Sequence, residues 1–155
     1  MITAAELMTR DVLYVMPDMP VAEVAQLILT NRISALPVVD QDRKLLGIVG
    51  EGDLVRSASA RDEPNRSWWL VLLAKPKNVI DQFISGGERR VDSVMSRDVL
   101  MASEQETLPR LVELLSTPRI KRLPIVNDGK LVGIVSRLDI LRYLSENKIL
   151  CAFPR

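Results

Sequence analysis

Two periodicities alternate along the chain. Val21, Val24, Ala25, Leu27 and Ile28 recur at the spacing that lines one face of a helix, which predicts a helix from Val21 to about Asn31 packed on a sheet. Ahead of it, Val12 to Val15 is a short extended run ended by Met16-Pro17-Asp18-Met19-Pro20, where two prolines disfavour both helix and ladder. Behind it, Leu36-Pro37-Val38-Val39 and Leu45-Leu46-Gly47-Ile48-Val49 are β-rich runs separated by Asp40-Gln41-Asp42-Arg43, a hairpin signature. A helix from about Glu51 to Ser59 closes the unit.

The same pattern then returns. A fixed offset lays Met8-Thr9-Arg10-Asp11-Val12-Leu13 on Met95-Ser96-Arg97-Asp98-Val99-Leu100, and Arg32-Ile33-Ser34-Ala35-Leu36-Pro37-Val38-Val39 on Arg119-Ile120-Lys121-Arg122-Leu123-Pro124-Ile125-Val126. An offset shorter by one residue brings Gly47-Ile48-Val49 onto Gly133-Ile134-Val135. Matches that keep their order at nearly constant spacing mark an internal repeat. The second copy predicts a strand around Val99 to Met101, a helix from Leu108 to Ser116, a hairpin through Asn127-Asp128-Gly129 and a helix from Ser136 to Glu146. Asp-Gly at that turn favours positive φ and a tight primed turn. Each copy, at about 55–60 residues, has too little apolar surface to stand alone. The copies are therefore expected to pack on each other with a pseudo-two-fold relation, forming two equivalent clefts where their strand-to-helix junctions converge. The organisation expected is repeat 1 over 1–60, a helical insert over 61–90 and repeat 2 over 91–150.

The insert has no repeat partner. Arg66-Ser67-Trp68-Trp69-Leu70-Val71-Leu72-Leu73-Ala74 is a very apolar helix candidate stopped by Pro76, and Val79 to Ile84 is a second, ended by Gly86-Gly87. Its tryptophan pair serves either as packing within the protein or a second subunit, or as a docking surface for another protein.

Bulk composition narrows the function. With 155 residues and 47% apolar side chains, the chain can bury a real core. Its 21 basic and 20 acidic residues leave a net charge of +1, and the basic residues are dispersed, which disfavours nucleic acid as a partner. With neither a charged-then-apolar leader nor an apolar run of spanning length, the reading is a cytoplasmic protein without a membrane partner. Cys151 is the only cysteine, so no intrachain disulfide is possible, and nothing nearby activates its thiol. The absence of histidine removes the commonest general base and metal ligand, and weighs against hydrolytic or metal-dependent catalysis.

What chemistry remains sits where strand turns into helix. In Lys130-Leu131-Val132-Gly133-Ile134-Val135-Ser136-Arg137-Leu138-Asp139-Ile140 an apolar run passes into a helical pattern at Ser136, a good capping residue. Ser136, free backbone N–H groups and the Asp139 carboxylate then gather at the positive end of a helix, a place an anion and a sugar diol can share. Lys44 to Leu54 repeats the design around Asp53. A purely structural reading stands beside this one, because an acid in the first turn of a helix stabilises it without any ligand.

The paired pattern of Met-Thr/Ser-Arg-Asp-Val, Arg-Ile-x-x-Leu-Pro-Val/Ile-Val and Leu-x-Gly-Ile-Val-x-x-x-Asp-Leu/Ile resembles a tandem of cystathionine-β-synthase-type (CBS) domains, the Bateman module. The insert is similar to that of bacterial CBS-pair proteins carrying a C-terminal BON domain, which would here be absent or removed. The resemblance implies an α+β fold of two β-α-β-β-α units, often dimerised, so a homodimer is expected. It also implies an adenosine-nucleotide ligand (AMP, ADP or ATP, or S-adenosylmethionine), no required metal, and control of an unidentified regulated protein rather than catalysis.

Carried over by motif, the resemblance places Asp139 on the ribose hydroxyls and Ser136 on phosphate, with Lys121 and Arg122 neutralising it. Ile33 to Ala35 and Ile120 to Arg122 fall where the family lines the adenine pocket, and Ile33, Ala35, Ile120, Leu13 and Asp53 complete the expected ligand contacts. The first copy departs from the pattern. Gly50 stands where Ser or Thr is expected and Glu51 adds negative charge, so the Asp53 cleft is expected to be weak, empty or suited to a less charged adenosyl compound. The alternative function is a ligand-independent dimerisation scaffold whose clefts have decayed.

Overall fold

The computed structural model describes residues 1–59, 89–147 and 149. The insert helices predicted around Trp68-Trp69 and Val79–Ile84, and Cys151, lie outside the described residues. The described residues form a mixed α+β structure in two compact units, one of Tyr14–Gln41 and Leu46–Asp98, the other of Met1–Leu13, Asp42–Leu45 and Val99–Arg155.

In the unit built on Tyr14–Gln41, helix α2 spans Val21–Asn31, the predicted range, and buries Val21, Val24 and Ile28. It ends on Arg32, which takes a left-handed φ of 52° so that its N–H reaches the Ile28 and Leu29 carbonyls. Strands β1 (Ala35–Val39) and β2 (Leu45–Gly50) form a two-stranded sheet, and α3 (Glu51–Ser59) follows β2 directly. The core gathers Val15, Val24, Ile28, Leu36, Val38, Val49 and Leu54 with Val91 and Met95. The extended run predicted at Val12–Val15 shrinks to one parallel bridge, Val15 to Val38, because the proline-rich stretch after it diverts the chain.

The other unit carries a short helix α1 (Ala4–Leu7) and a three-stranded sheet of β3 (Ala102–Ser103), β4 (Arg122–Asn127) and β5 (Lys130–Ser136). Strand β3 runs parallel to β4, with Ala102 opposite Ile125, and β4 is antiparallel to β5. The β4–β5 turn has Asp128 at φ 49° and Gly129 at φ 78°, the pair of positive values a primed turn requires. Helix α4 (Leu108–Ser116) matches its predicted span, and α5 (Arg137–Glu146) starts one residue later than predicted, since Ser136 is its N-cap. The core joins Ala4, Met8, Ala102, Leu111, Leu115, Leu123, Ile125, Val135 and Ile140. The strand predicted at Val99–Met101 is corrected to Ala102–Ser103. Leu100 and Met101 are apolar but lie exposed, whereas Ala102 is buried against β4, as the matching Val15 is against β1.

One packing device explains the repeated Met-Thr/Ser motif. Thr9 pairs with Ile134 through two backbone bonds of 2.9 and 3.0 Å, laying Met8 over Gly133, where a Cβ would meet the Met8 Sδ and, at 2.7 Å, its Cγ. Ser96 pairs with Ile48 in the same way, and a Cβ on Gly47 would stand 2.6 Å from the Ser96 carbonyl oxygen. Each glycine is needed because the crossing segment fills the place of its Cβ, with the Ser96 carbonyl oxygen at Gly47 and the Met8 side chain at Gly133. The motif ahead of each copy thus packs on the glycine strand of the other copy's sequence.

Candidate functional site

Both strand-to-helix junctions are built alike. At the second, the Ser136 N–H donates to Asp139 Oδ2 at 2.7 Å, the Ser136 hydroxyl donates to the same oxygen at 2.6 Å, and the Asp139 N–H donates to Ser136 Oγ at 3.3 Å. This is a capping box with aspartate in the acceptor role. Oδ1 takes one bond, from Arg142 Nη1 at 3.2 Å. The Asp139 side chain is 13% exposed and Arg142 58%.

At the first junction the Gly50 N–H donates to Asp53 Oδ2 at 2.8 Å, and Arg56 lies 2.5 Å from Oδ1. The Glu51 N–H is taken by the Ser34 carbonyl at 3.0 Å. Gly50 puts nothing in place of the Ser136 hydroxyl, and a Cβ there would come 3.3 Å from the Ser34 carbonyl oxygen and 3.6 Å from Ala35 Cβ.

The expected ligand residues divide between the junctions. Arg122 is opposite Ser136 in the β4–β5 register and partly buried; Lys121 before it is exposed, and Ile120 packs on the core. Ala35 stands beside Gly50, with Ile33 packed on the other core. Leu13 is 41% exposed and belongs to neither hydrogen-bond set.

Three arginines escaped the sequence reading. Arg137 donates from Nε to the Leu115 carbonyl at 2.8 Å and from Nη2 to the Thr117 carbonyl at 3.0 Å, closing the C-terminal end of α4. Arg56 and Arg142 hold the Oδ1 atoms. The Asp-x-x-Arg spacing shared by Asp53-Arg56 and Asp139-Arg142 was the signal for the latter two.

Chemically, each junction offers a carboxylate held at Oδ2 by a backbone N–H and at Oδ1 by an exposed arginine, beside the positive end of a helix. Among the described residues no group of three His, Cys, Asp or Glu side chains is arranged to hold a metal ion, and no helix is long and apolar enough to cross a membrane.

Comparison with known proteins gives these junctions a context. The CBS-domain family model matches residues 4–60 and 91–146. The chain is similar to the chloroplastic CBS domain-containing protein CBSX1 of Arabidopsis thaliana, with 33% identity over 90% of this chain, and spans 63% of that relative's length. Its fold is similar to the crystal structure of Arabidopsis CBSX2 in complex with AMP, at a TM-score of 0.72 and 25% identity, covering 94% of this chain and 98% of that one. It is also similar to a CBS domain-containing protein of unknown function from Bacillus anthracis, at a TM-score of 0.74 and 20% identity, each chain being 94% covered. Two matched segments, covering both sequence copies and most of the chain, establish that this protein belongs to the CBS-domain family and carries a tandem CBS pair.

Proposed function

We propose that the chain is a regulatory module that binds an adenosine nucleotide and passes the resulting change to a separate protein, acting as a homodimer and without catalysis of its own. The observation that carries this reading is the Ser136 junction. A partly buried carboxylate, a hydroxyl and a helix N-terminus converge there, with Arg122 opposite on the adjacent strand. A ribose diol donates two hydrogen bonds and suits a carboxylate oxygen whose present partner is an exposed arginine. Phosphate suits the positive end of α5 and the cations at Lys121 and Arg122, and the Ser136 hydroxyl joins them once its proton turns away from Asp139 Oδ2. The AMP complex of the similar CBSX2 supports the ligand class.

One observation favours a scaffold instead. Oδ2 of Asp139 already accepts two bonds from Ser136 and Oδ1 accepts one from Arg142, so the carboxylate is satisfied with no ligand. Titration calorimetry with AMP, ADP, ATP and S-adenosylmethionine separates the two. The sensing role expects micromolar binding that Asp139→Ala weakens at least ~tenfold, equivalent to ~1.4 kcal/mol. No heat below millimolar ligand, with the oligomer intact, leaves the scaffold.

A further inference from the structure

The leading segments of the two copies are stitched down by one pattern. In the unit holding β5, the Ala4 N–H donates to the Glu106 carbonyl at 2.8 Å, the Ala5 N–H to that of Glu104 at 3.0 Å and the Leu108 N–H to that of Ile2 at 3.0 Å. Their repeat counterparts do the same in the unit holding β2, from Val91 to Met19 at 3.0 Å, Asp92 to Pro17 at 2.9 Å and Val21 to Arg89 at 2.8 Å. Arg10 and Arg97 match as well, donating to the Ala5 carbonyl at 3.0 Å and the Asp92 carbonyl at 3.3 Å. Only the unit holding β5 adds a side-chain latch. There Glu104 Oε1 lies 3.6 Å from Arg10 Nη1, and Oε2 accepts from Asn127 Nδ2 at 2.9 Å. The counterpart of Glu104 is Pro17, which has no such group.

Residues 3–10 thereby form a strap with two separate moorings. At one, Ala4, Ala5 and Arg10 hold the turn between β3 and α4. At the other, Thr9 brackets Ile134 with its two backbone bonds and Met8 lies over Gly133. The β4–β5 ladder is broken between these moorings. Its register shifts between Ile125 and Val126, leaving Val132 unpaired on β5. Asn127, on one side of the break, is tied to Glu104, whereas residues 133–136, on the other, lead into the Ser136 junction. The strap spans the break with bonds of 2.8–3.0 Å at both moorings, so a shift of the junction half of β5 against the turn must lengthen one set.

Resting on the nucleotide-binding reading, we propose that this strap is the element through which occupation of the Ser136 junction is passed on. A ligand there shifts the half of β5 beyond the break, and the strap yields at its weakest tie, the exposed Arg10 against Glu104. The counterpart segment around Arg97 has no carboxylate latch and is not part of this route.

Hydrogen exchange read by mass spectrometry, beside calorimetry, tests this on the full chain with AMP as the probe. Saturating AMP is expected to speed exchange over residues 4–9 by at least ~threefold and to leave residues 91–96 unchanged. Because binding costs the Arg10–Glu104 pair, losing that pair beforehand returns the cost. Arg10→Ala, at a position 63% exposed, is therefore expected to tighten AMP about twofold, and Arg97→Ala to leave its affinity unchanged. Heat from AMP with unchanged or slower exchange over residues 4–9 overturns the proposal while leaving nucleotide binding intact. Equal speeding over residues 91–96 does the same, as does an AMP affinity that is unchanged or weaker in Arg10→Ala. Absence of heat below millimolar AMP overturns the nucleotide-binding reading and this proposal with it.

Discussion

The two units use one plan with different fillings, and the differences fall in the details that decide function. Val24 and Leu111 occupy the same place in the repeat and are both fully buried, on α2 and α4. Gly47 and Gly133 occupy the same place on β2 and β5, yet one faces a carbonyl oxygen and the other a methionine side chain. Gly50 and Ser136 occupy the same place at the junctions, yet only one carries a hydroxyl. A repeat thus preserves where packing happens more faithfully than what it is made of, and each mismatch is a place to test whether the units carry equal loads.

The core pair should give the largest effect. Leu111→Ala removes a fully buried side chain and is expected to destabilise by about 2–5 kcal/mol. Val24→Ala removes one methylene less and should cost ~0.8 kcal/mol less, plus the smaller cavity. Urea unfolding midpoints at constant slope check both, and an equal loss would mean that the valine site collapses less well than the leucine site.

The glycine pair comes next and makes the comparison sharper, because the two substitutions clash with different things. An alanine Cβ at Gly47 meets a backbone oxygen at 2.6 Å, which only a shift of the Ser96 strand relieves. At Gly133 the clash is with Met8, whose thioether has rotamers to spare. Gly47→Ala is expected to cost about 2–3 kcal/mol and Gly133→Ala about 1 kcal/mol, within the range of overpacking effects. Adding Met8→Ala should recover part of the Gly133→Ala loss, whereas Met95→Ala should recover little of the loss at Gly47. A double-mutant cycle with the same coupling in both units would place the constraint in the methionines rather than in the strand crossing.

What could be read in the sequence follows from the range of the forces involved. Helices α2 and α4 were legible to the residue because their apolar spacing and flanking prolines are local signals. The β4–β5 turn was legible because Asp128-Gly129 states its own backbone angles. Strand β3 was not. Val99 to Met101 looks more strand-like than Ala102-Ser103, and only the partner β4 decides which residues pair. The crossing of Met8 over Gly133 was hidden too, since the motif that crosses belongs to one copy's sequence and the glycine it covers to the other's. At the junction, the Ser136–Asp139 pair was expected at the helix N-terminus and is found there, while the use of Arg137 to close α4 required knowing where the Leu115 and Thr117 carbonyls end up.

The smallest expected effect bears on the junctions most directly. Arg56 and Arg142 each bind the Oδ1 of an aspartate three residues earlier, and both are largely exposed, at 74% and 58%. Exposed pairs of this spacing contribute only about 0.3–0.5 kcal/mol, so Arg56→Ala and Arg142→Ala should leave the unfolding midpoint almost unchanged. Their effects on ligand binding should be visible nonetheless. If a ribose diol takes Oδ1 of Asp139, it must displace Arg142, and deleting that competitor should tighten AMP binding about twofold, the equivalent of ~0.4 kcal/mol. Arg56→Ala should change AMP binding less, because Gly50 leaves the first junction without a hydroxyl beside Asp53. Weaker AMP binding in Arg142→Ala would mean that the arginine holds the carboxylate in its receptive orientation rather than competing for it, and the exchange at Oδ1 would have to be abandoned.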